Sequence, residues 1–173
     1  MNEIISELTQ AWKIQDKVQI EFFISEIATN FYDKTFIGIG AGRMGFSLKS
    51  FIMRLGHMKT RAYFIGDTCL PKVNNNSVVI MNSSSGETRT NIVFAEQAKL
   101  NGAKLLLITQ NSKSTIGKIA DYVLEIPKLD STQVMKTFAE QYTFVLLDYI
   151  SSRIISKLDL SEIYLNQNHS IFE

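Results

Sequence analysis

Five short runs of apolar, largely β-branched residues recur along this chain, and they constrain its fold more than any other feature. They are Phe36-Ile37-Gly38-Ile39, Ala62-Tyr63-Phe64-Ile65, Val78-Val79-Ile80-Met81, Leu105-Leu106-Leu107-Ile108 and Tyr122-Val123-Leu124-Glu125-Ile126. Most are continuously apolar rather than alternating, the pattern of strands covered on both faces. Helical periodicity lies between them. Met44 to Met58 carries Met44, Leu48, Phe51, Ile52 and Leu55 on one face. Asn91 to Leu100 carries Ile92, Phe94, Ala95 and Ala98, then stops at Asn101-Gly102, a helix-ending pair. Ser114 caps a short helix through Ile119 and Ala120. Strand alternating with helix predicts an α/β fold, a three-layer sandwich with a five-stranded parallel sheet between helices.

Two longer helical stretches flank this core. The first covers about 4–31, as one helix or two. The second covers about 131–158, with an apolar stripe of Phe138, Tyr142, Val145, Leu146, Tyr149, Ile150 and Ile154. That stripe is longer than one small sheet needs. Part of it reads as a subunit interface, with core packing the alternative.

A chain of 173 residues fits one domain, spanning 1–173 with a core over about 35–127 and a tail from 159. Hydrophobic residues at 45% and charged residues at 20% place it among soluble globular proteins. A formal net charge of +1 offers no basic surface for nucleic acid or an anionic membrane. Cys69 is the only cysteine, so no intrachain disulfide can form and a reducing compartment fits. The acidic start Met1-Asn2-Glu3-Ile4-Ile5-Ser6-Glu7 lacks a signal-peptide pattern, and no apolar run reaches a membrane span. The expected location is the cytoplasm. No Cys/His ligand spacing occurs, so no metal site is expected.

Function concentrates in two loops. After the third run the chain reads Asn82-Ser83-Ser84-Ser85-Gly86-Glu87-Thr88-Arg89-Thr90, then turns helical. The first turn of a helix has backbone N–H groups with no internal partner, and its dipole favours an anion. Hydroxyls add donors without bulk, and Gly86 lets backbone approach a ligand. A phosphate seat is expected here; a serine N-cap with a polar turn is the plainer alternative. It is not a Walker loop, because no Gly-Lys-Ser/Thr follows.

After the first run, Gly40-Ala41-Gly42-Arg43-Met44-Gly45 matches Gly-x-Gly-x-x-Gly, and Asp67 lies just past the next run. That is close to a dinucleotide fingerprint. A dinucleotide site, however, needs no second hydroxyl-rich loop. The residues after Gly102 also leave little for a separate substrate domain. Two anion-friendly loops on neighbouring strands suit a small phosphorylated molecule better. A tight strand-to-helix turn without a ligand remains the structural alternative.

With both loops in hand, the chain resembles sugar isomerase (SIS) domains, and among them the 6-phospho-3-hexuloisomerases. The stretches that carry the resemblance begin with Gly40 to Gly45, Met53-Arg54-Leu55-Gly56-His57-Met58 and Tyr63-Phe64-Ile65-Gly66-Asp67-Thr68. They continue through Ser83 to Thr88, Ile119-Ala120-Asp121, Met135 to Gln141 and the ending His169-Ser170-Ile171-Phe172-Glu173. The resemblance implies a flavodoxin-like or Rossmann-like sheet, tetrameric assembly and a C-terminal tail that reaches a neighbouring subunit's site. By motif, Ser83, Ser85 and Thr88 would seat the phosphate, with Gly42 and Arg43 across the cleft. Ser84 and Glu87 belong to the same loop. Glu140 and His169 fall on the family's proton-transfer positions. The chain departs from the pattern at Met44 (a serine in the family), at Ser84 (a glycine) and at 170–172.

An isomerase of this kind needs no cofactor. A base removes a proton α to the carbonyl, an enediol forms, and an acid returns the proton one carbon over. Glu140 sits within Phe138, Ala139, Tyr142 and Phe144, where partial burial would suit a base. His169 would be the acid or ring-opening group. His57 ends a helix, where it complements the dipole or lines the site. The expected activity is conversion of 3-hexulose 6-phosphate to fructose 6-phosphate. A phosphosugar-binding sensor without turnover is the alternative from another class.

Overall fold

The computed structural model describes residues 1–169. Residues 170–173, which hold the divergent ending, lie outside the described residues. The N-terminal stretch resolves into two helices, α1 (Asn2–Ile14) and α2 (Lys17–Asn30). The break between them is a capping event. Asp16 leaves helical geometry and its carboxylate accepts from the N–H groups of Val18 and Gln19, satisfying two donors that a new helix would otherwise strand.

The core follows as β1 (Thr35–Gly40), α3 (Gly42–His57), β2 (Arg61–Phe64), β3 (Ser77–Asn82), α4 (Arg89–Leu100), β4 (Lys104–Thr109), α5 (Thr115–Ile119) and β5 (Tyr122–Glu125). All five strands pair in parallel in the order β2-β1-β3-β4-β5. The predicted sheet is therefore present, and each predicted run falls on a strand, except that Ile65 and Ile126 lie one residue past the ends of β2 and β5. The expected caps hold as well: Gly102 takes φ +79 after α4, and the Ser114 side chain accepts from Gly117 N–H at the start of α5. Between β2 and β3 there is no helix, only the connection over 65–76.

Alternate strand residues face two cores, as period 2 requires. Phe36, Val78, Ile80, Leu106, Ile108 and Leu124 pack with α2, α3 and the later helix α6 (Thr137–Lys157). Ile37, Ile39, Val79, Met81, Leu105 and Leu107 pack against Ala95 and Ala98 of α4 and Ile116 of α5. β3 is buried along its whole length. Each such aliphatic side chain contributes roughly 1.5–3 kcal/mol of burial, which makes this strand a rigid mount for whatever follows Asn82.

The second flanking helix starts at Thr137, where its apolar stripe begins, and not at the expected bound near 131. A short 3-10 turn at Val134–Lys136, with Met135 at φ 54, precedes α6. Most of the α6 stripe serves the core: Phe138, Tyr142, Leu146, Ile150 and Ile154 are buried. Burial pushes the Tyr142 phenol up from its usual range, and its hydroxyl donates to Gln15 Oε1 at 3.1 Å. Val145 and Phe144 remain exposed, beside Phe46 of α3. Phe144 lines the same cleft as Glu140 but from a half-open position, so it shields the carboxylate less than a buried ring would. The chain continues into the short α7 (Glu162–Asn166).

Candidate functional site

The strand order reverses direction between β1 and β3. From β1 the chain moves outward to β2, and from β3 it moves the other way to β4. In open α/β sheets this switch point, at the carboxyl ends of the strands, is where ligands bind. Both loops singled out by sequence leave the sheet there. Gly40 and Asn82 are register partners across β1 and β3.

The two loops are built differently. Gly40 and Gly45 face each other so closely that a β-carbon on Gly40 would fall 2.8 Å from Gly45 Cα. Their joint absence of side chains lets α3 start directly against the end of β1. Gly42 takes φ +56 at the first helical position, with open space beside it. Asp67, which a dinucleotide site would use for ribose, instead accepts from Phe64 N–H at 2.7 Å and closes its own turn.

The serine loop is held by its surroundings. Ser83 N–H donates to Ile108 O at 3.0 Å, and Gly86 N–H donates to Ser83 O at 3.1 Å. Gly86 has φ +65 and packs on the Ser114 side chain. Ser84 Oγ donates to Gln110 Oε1 at 2.7 Å, and Gln110 Nε2 donates to Pro127 O at 2.7 Å. Glu87 accepts from Thr115 N–H at 2.7 Å. The Thr115 hydrogen bonds hold the Glu87 carboxyl below the usual carboxylate range. Ser84 and Glu87 are thus committed to the frame of the loop. Thr88 is the N-cap of α4, yet its side chain makes no capping bond, so the first-turn N–H groups of α4 have no side-chain acceptor. Ser83 is buried, and Ser85 and Thr88 are half-buried around them.

Arg43 and Glu140 meet on the same edge. Arg43 Nε donates to Glu140 Oε2 at 2.5 Å, with the arginine side chain 65% exposed and the glutamate 16%. The carboxylate is largely withdrawn from water; Phe138 and Ala139, which precede it, are buried. The pair lines a cleft of about 470 Å³ with Ile4, Ile5, Phe46 and Gln141 among its walls.

The two histidines are elsewhere. His57 and His169 lie with ring centroids 4.8 Å apart, and Arg54 approaches His57 Nδ1 at 3.4 Å. His57 is at the opposite end of α3 from Arg43. Fourteen residues of helix separate them, or about 21 Å at 1.5 Å per residue. The structure therefore joins Glu140 to Arg43 and His169 to His57, but not Glu140 to His169 within one chain.

Sequence reasoning missed Asn82. It is fully buried, its Nδ2 donating to Met44 O at 2.8 Å and to Ser47 Oγ at 3.1 Å. A polar residue closing the apolar run Val78 to Met81 was the available signal.

Known proteins resemble this chain in sequence and fold. Residues 34–150 match the SIS domain model. The chain belongs to the SIS domain family. The 3-hexulose-6-phosphate isomerase of Bacillus subtilis is 32% identical over 143 residues, covering 78% of this chain and 77% of the relative. A solved Methanococcus jannaschii protein, for which a function of 3-hexulose-6-phosphate isomerase was inferred, superposes with a TM-score of 0.82 at 25% identity. That match covers 99% of this chain and 98% of the other. The Vibrio vulnificus NanR protein, solved in complex with ManNAc-6P, has the same fold, with a TM-score of 0.78 at 16% identity. That match covers 96% of this chain and 65% of the other. Among the described residues of the SIS chain, no helix is long and apolar enough to cross a membrane.

Proposed function

We propose that this SIS protein is a phosphosugar isomerase that interconverts 3-hexulose 6-phosphate and fructose 6-phosphate. The observation that carries the reading is the withdrawn Glu140 carboxylate, held by Arg43 on the sheet edge that presents the serine loop. The first turn of α4, with Ser83, Ser85 and Thr88, seats the phosphate. Gly42 leaves room at the opposite lip. Glu140 removes the C2 proton of the 3-ketose, the electron pair moves to give the 2,3-enediol, and a proton returned to C3 leaves the carbonyl at C2. No electron leaves the sugar, so the reaction consumes no cofactor.

His169 is the proton donor or ring-opening group on this reading. Because it lies beside His57, which is about 21 Å along α3 from Arg43, it serves the site of a second copy. The exposed apolar side chains Phe46, Phe144 and Val145 offer a surface for that copy, in a homo-oligomer of tetrameric type. The chain acts as one domain, and a cytoplasmic setting fits the exposed thiol of Cys69.

The test is a coupled assay of fructose 6-phosphate formation on wild type beside Glu140→Gln. Turnover is expected to fall by about a hundredfold or more, the usual contribution of a general base, while fructose 6-phosphate still raises the melting temperature of the variant. Wild type that binds the ester but does not turn it over would make the protein a sensor or an isomerase of a different phosphosugar, which a panel of phosphosugars would separate.

A further inference from the structure

Asn82 is chemically out of place. It closes a strand whose preceding four residues are all apolar and buried, and it is itself 0% exposed. Its Oδ1 has no hydrogen-bond partner among the described residues. An unsatisfied buried amide oxygen costs about 1–3 kcal/mol. Exchanging oxygen and nitrogen offers no relief, because the oxygen would then face the Met44 carbonyl. A buried amide that satisfies its donor side but leaves its oxygen orphaned in an apolar strand calls for an explanation beyond stability. The other unpartnered buried side-chain oxygen among the described residues is Gln141 Oε1. Gln141 follows Glu140 and lines the Arg43–Glu140 cleft. Asn82 does not itself line that cleft, but it donates to Ser47, which does.

The geometry of Asn82 says what it does. Its backbone leads directly into Ser83 and the phosphate loop. Its side chain reaches across to the first turn of α3, where Met44 O accepts at 2.8 Å and Ser47 Oγ at 3.1 Å. Met44 follows Arg43, whose guanidinium holds Glu140. One buried side chain thus links the loop that seats the phosphate to the helix turn that positions the base. Ser47 Oγ also donates to Met44 O at 2.9 Å. Met44 O therefore keeps a partner even without Asn82, and the link is dispensable for hydrogen-bond satisfaction. Its use is to set a distance.

We propose that Asn82 is a positioning residue that fixes the separation between the phosphate seat and the Arg43–Glu140 pair. This rests on the isomerase reading given above. A brace of this kind acts on turnover more than on capture. Inorganic phosphate touches only the seat, whereas proton abstraction needs seat and base in register, and a misplacement of about 1 Å can cost a hundredfold in rate.

The experiment compares wild type with Asn82→Leu, which keeps the γ-branched outline in a larger apolar side chain without the orphaned oxygen, and with Asn82→Thr, which suits a strand and is too short to reach both partners. Melting temperature, inorganic phosphate affinity, kcat and KM are measured for each. The expected result is a melting temperature equal to or above that of wild type, unchanged phosphate affinity, and a kcat lowered by about tenfold to a hundredfold. KM should stay within about threefold, the signature of an interaction lost in the transition state. Adding Ser47→Ala to the leucine variant should lower kcat little further, since the two residues act in one link. If either folded variant keeps wild-type kcat, or loses kcat only in step with phosphate affinity, the brace is overturned and the isomerase reading stands. If wild type turns over no phosphosugar, the isomerase reading falls and takes the brace with it.

Discussion

The β1–α3 and β3–α4 loops occupy equivalent places in the sheet and carry similar glycine-rich sequences, yet they solve opposite problems. In the first, Gly40 and Gly45 close on each other, so the loop is spent on bringing a helix against a strand. In the second, the contacts run outward. Ser84 goes to Gln110, Glu87 to Thr115 and Gly86 against Ser114, leaving the start of α4 without a side-chain cap. The glycines of a motif that looks like a ligand fingerprint can serve packing, as Gly40 and Gly45 do, while the neighbouring loop, with one glycine, leaves its helix start uncapped. The decisive quantity is where each loop's backbone N–H groups and side chains find partners.

Substitutions can break this contrast, starting with the largest effect. Gly45→Ala drives a methyl into the Gly40 carbonyl, and backbone on both sides cannot yield as a side chain does. A loss of about 3 kcal/mol, at the upper end for overpacking, should appear as a lower midpoint in urea unfolding. Gly86→Ala meets the Ser114 side chain and must hold φ +65. Its cost is expected near 2 kcal/mol, and it should weaken phosphate binding as well, which Gly45→Ala refolded at low temperature should not. Equal effects of the two variants on phosphate affinity would erase the distinction between the loops.

The smallest effect concerns the frame of the serine loop. The Glu87 carboxyl is held below its ordinary value of 4.5, chiefly by Thr115 hydrogen bonds. A depressed carboxylate adds stability that is present above the unfolded value and is lost as pH falls through the folded one. Wild type should therefore lose melting temperature more steeply than Glu87→Gln between about pH 5 and pH 3. Parallel curves would mean that the Thr115 contact contributes nothing to the loop. Glu7 and Asp121 are depressed too, so only the difference between the two proteins isolates Glu87.

The sheet was legible because doubly covered strands must be apolar on both faces, as Val78 to Met81 and Leu105 to Ile108 are. The serine loop was legible because its hydroxyls follow such a strand without interruption. The break at Asp16 was only half legible: the cap needs its partners Val18 and Gln19 in space, and the apolar pattern runs across it. Residue type alone could not separate Ser84 and Glu87 from Ser83, Ser85 and Thr88. Their partners Gln110 and Thr115 lie 26 and 28 residues along the chain. The distance between His169 and Glu140 was hidden for the same reason. It depends on which end of α3 each one touches, and neither residue belongs to α3.

That helix acts as a ruler, with Glu140 held at one end and His169 beside the other. On the proposed reading no single molecule holds a complete reaction centre, so catalysis inherits the concentration dependence of assembly. Progressive dilution should then extinguish specific activity along a steep, cooperative curve while circular dichroism still reports intact helices. Adding back a Glu140→Gln chain, inert by itself but carrying a sound His169, should restore part of the lost rate.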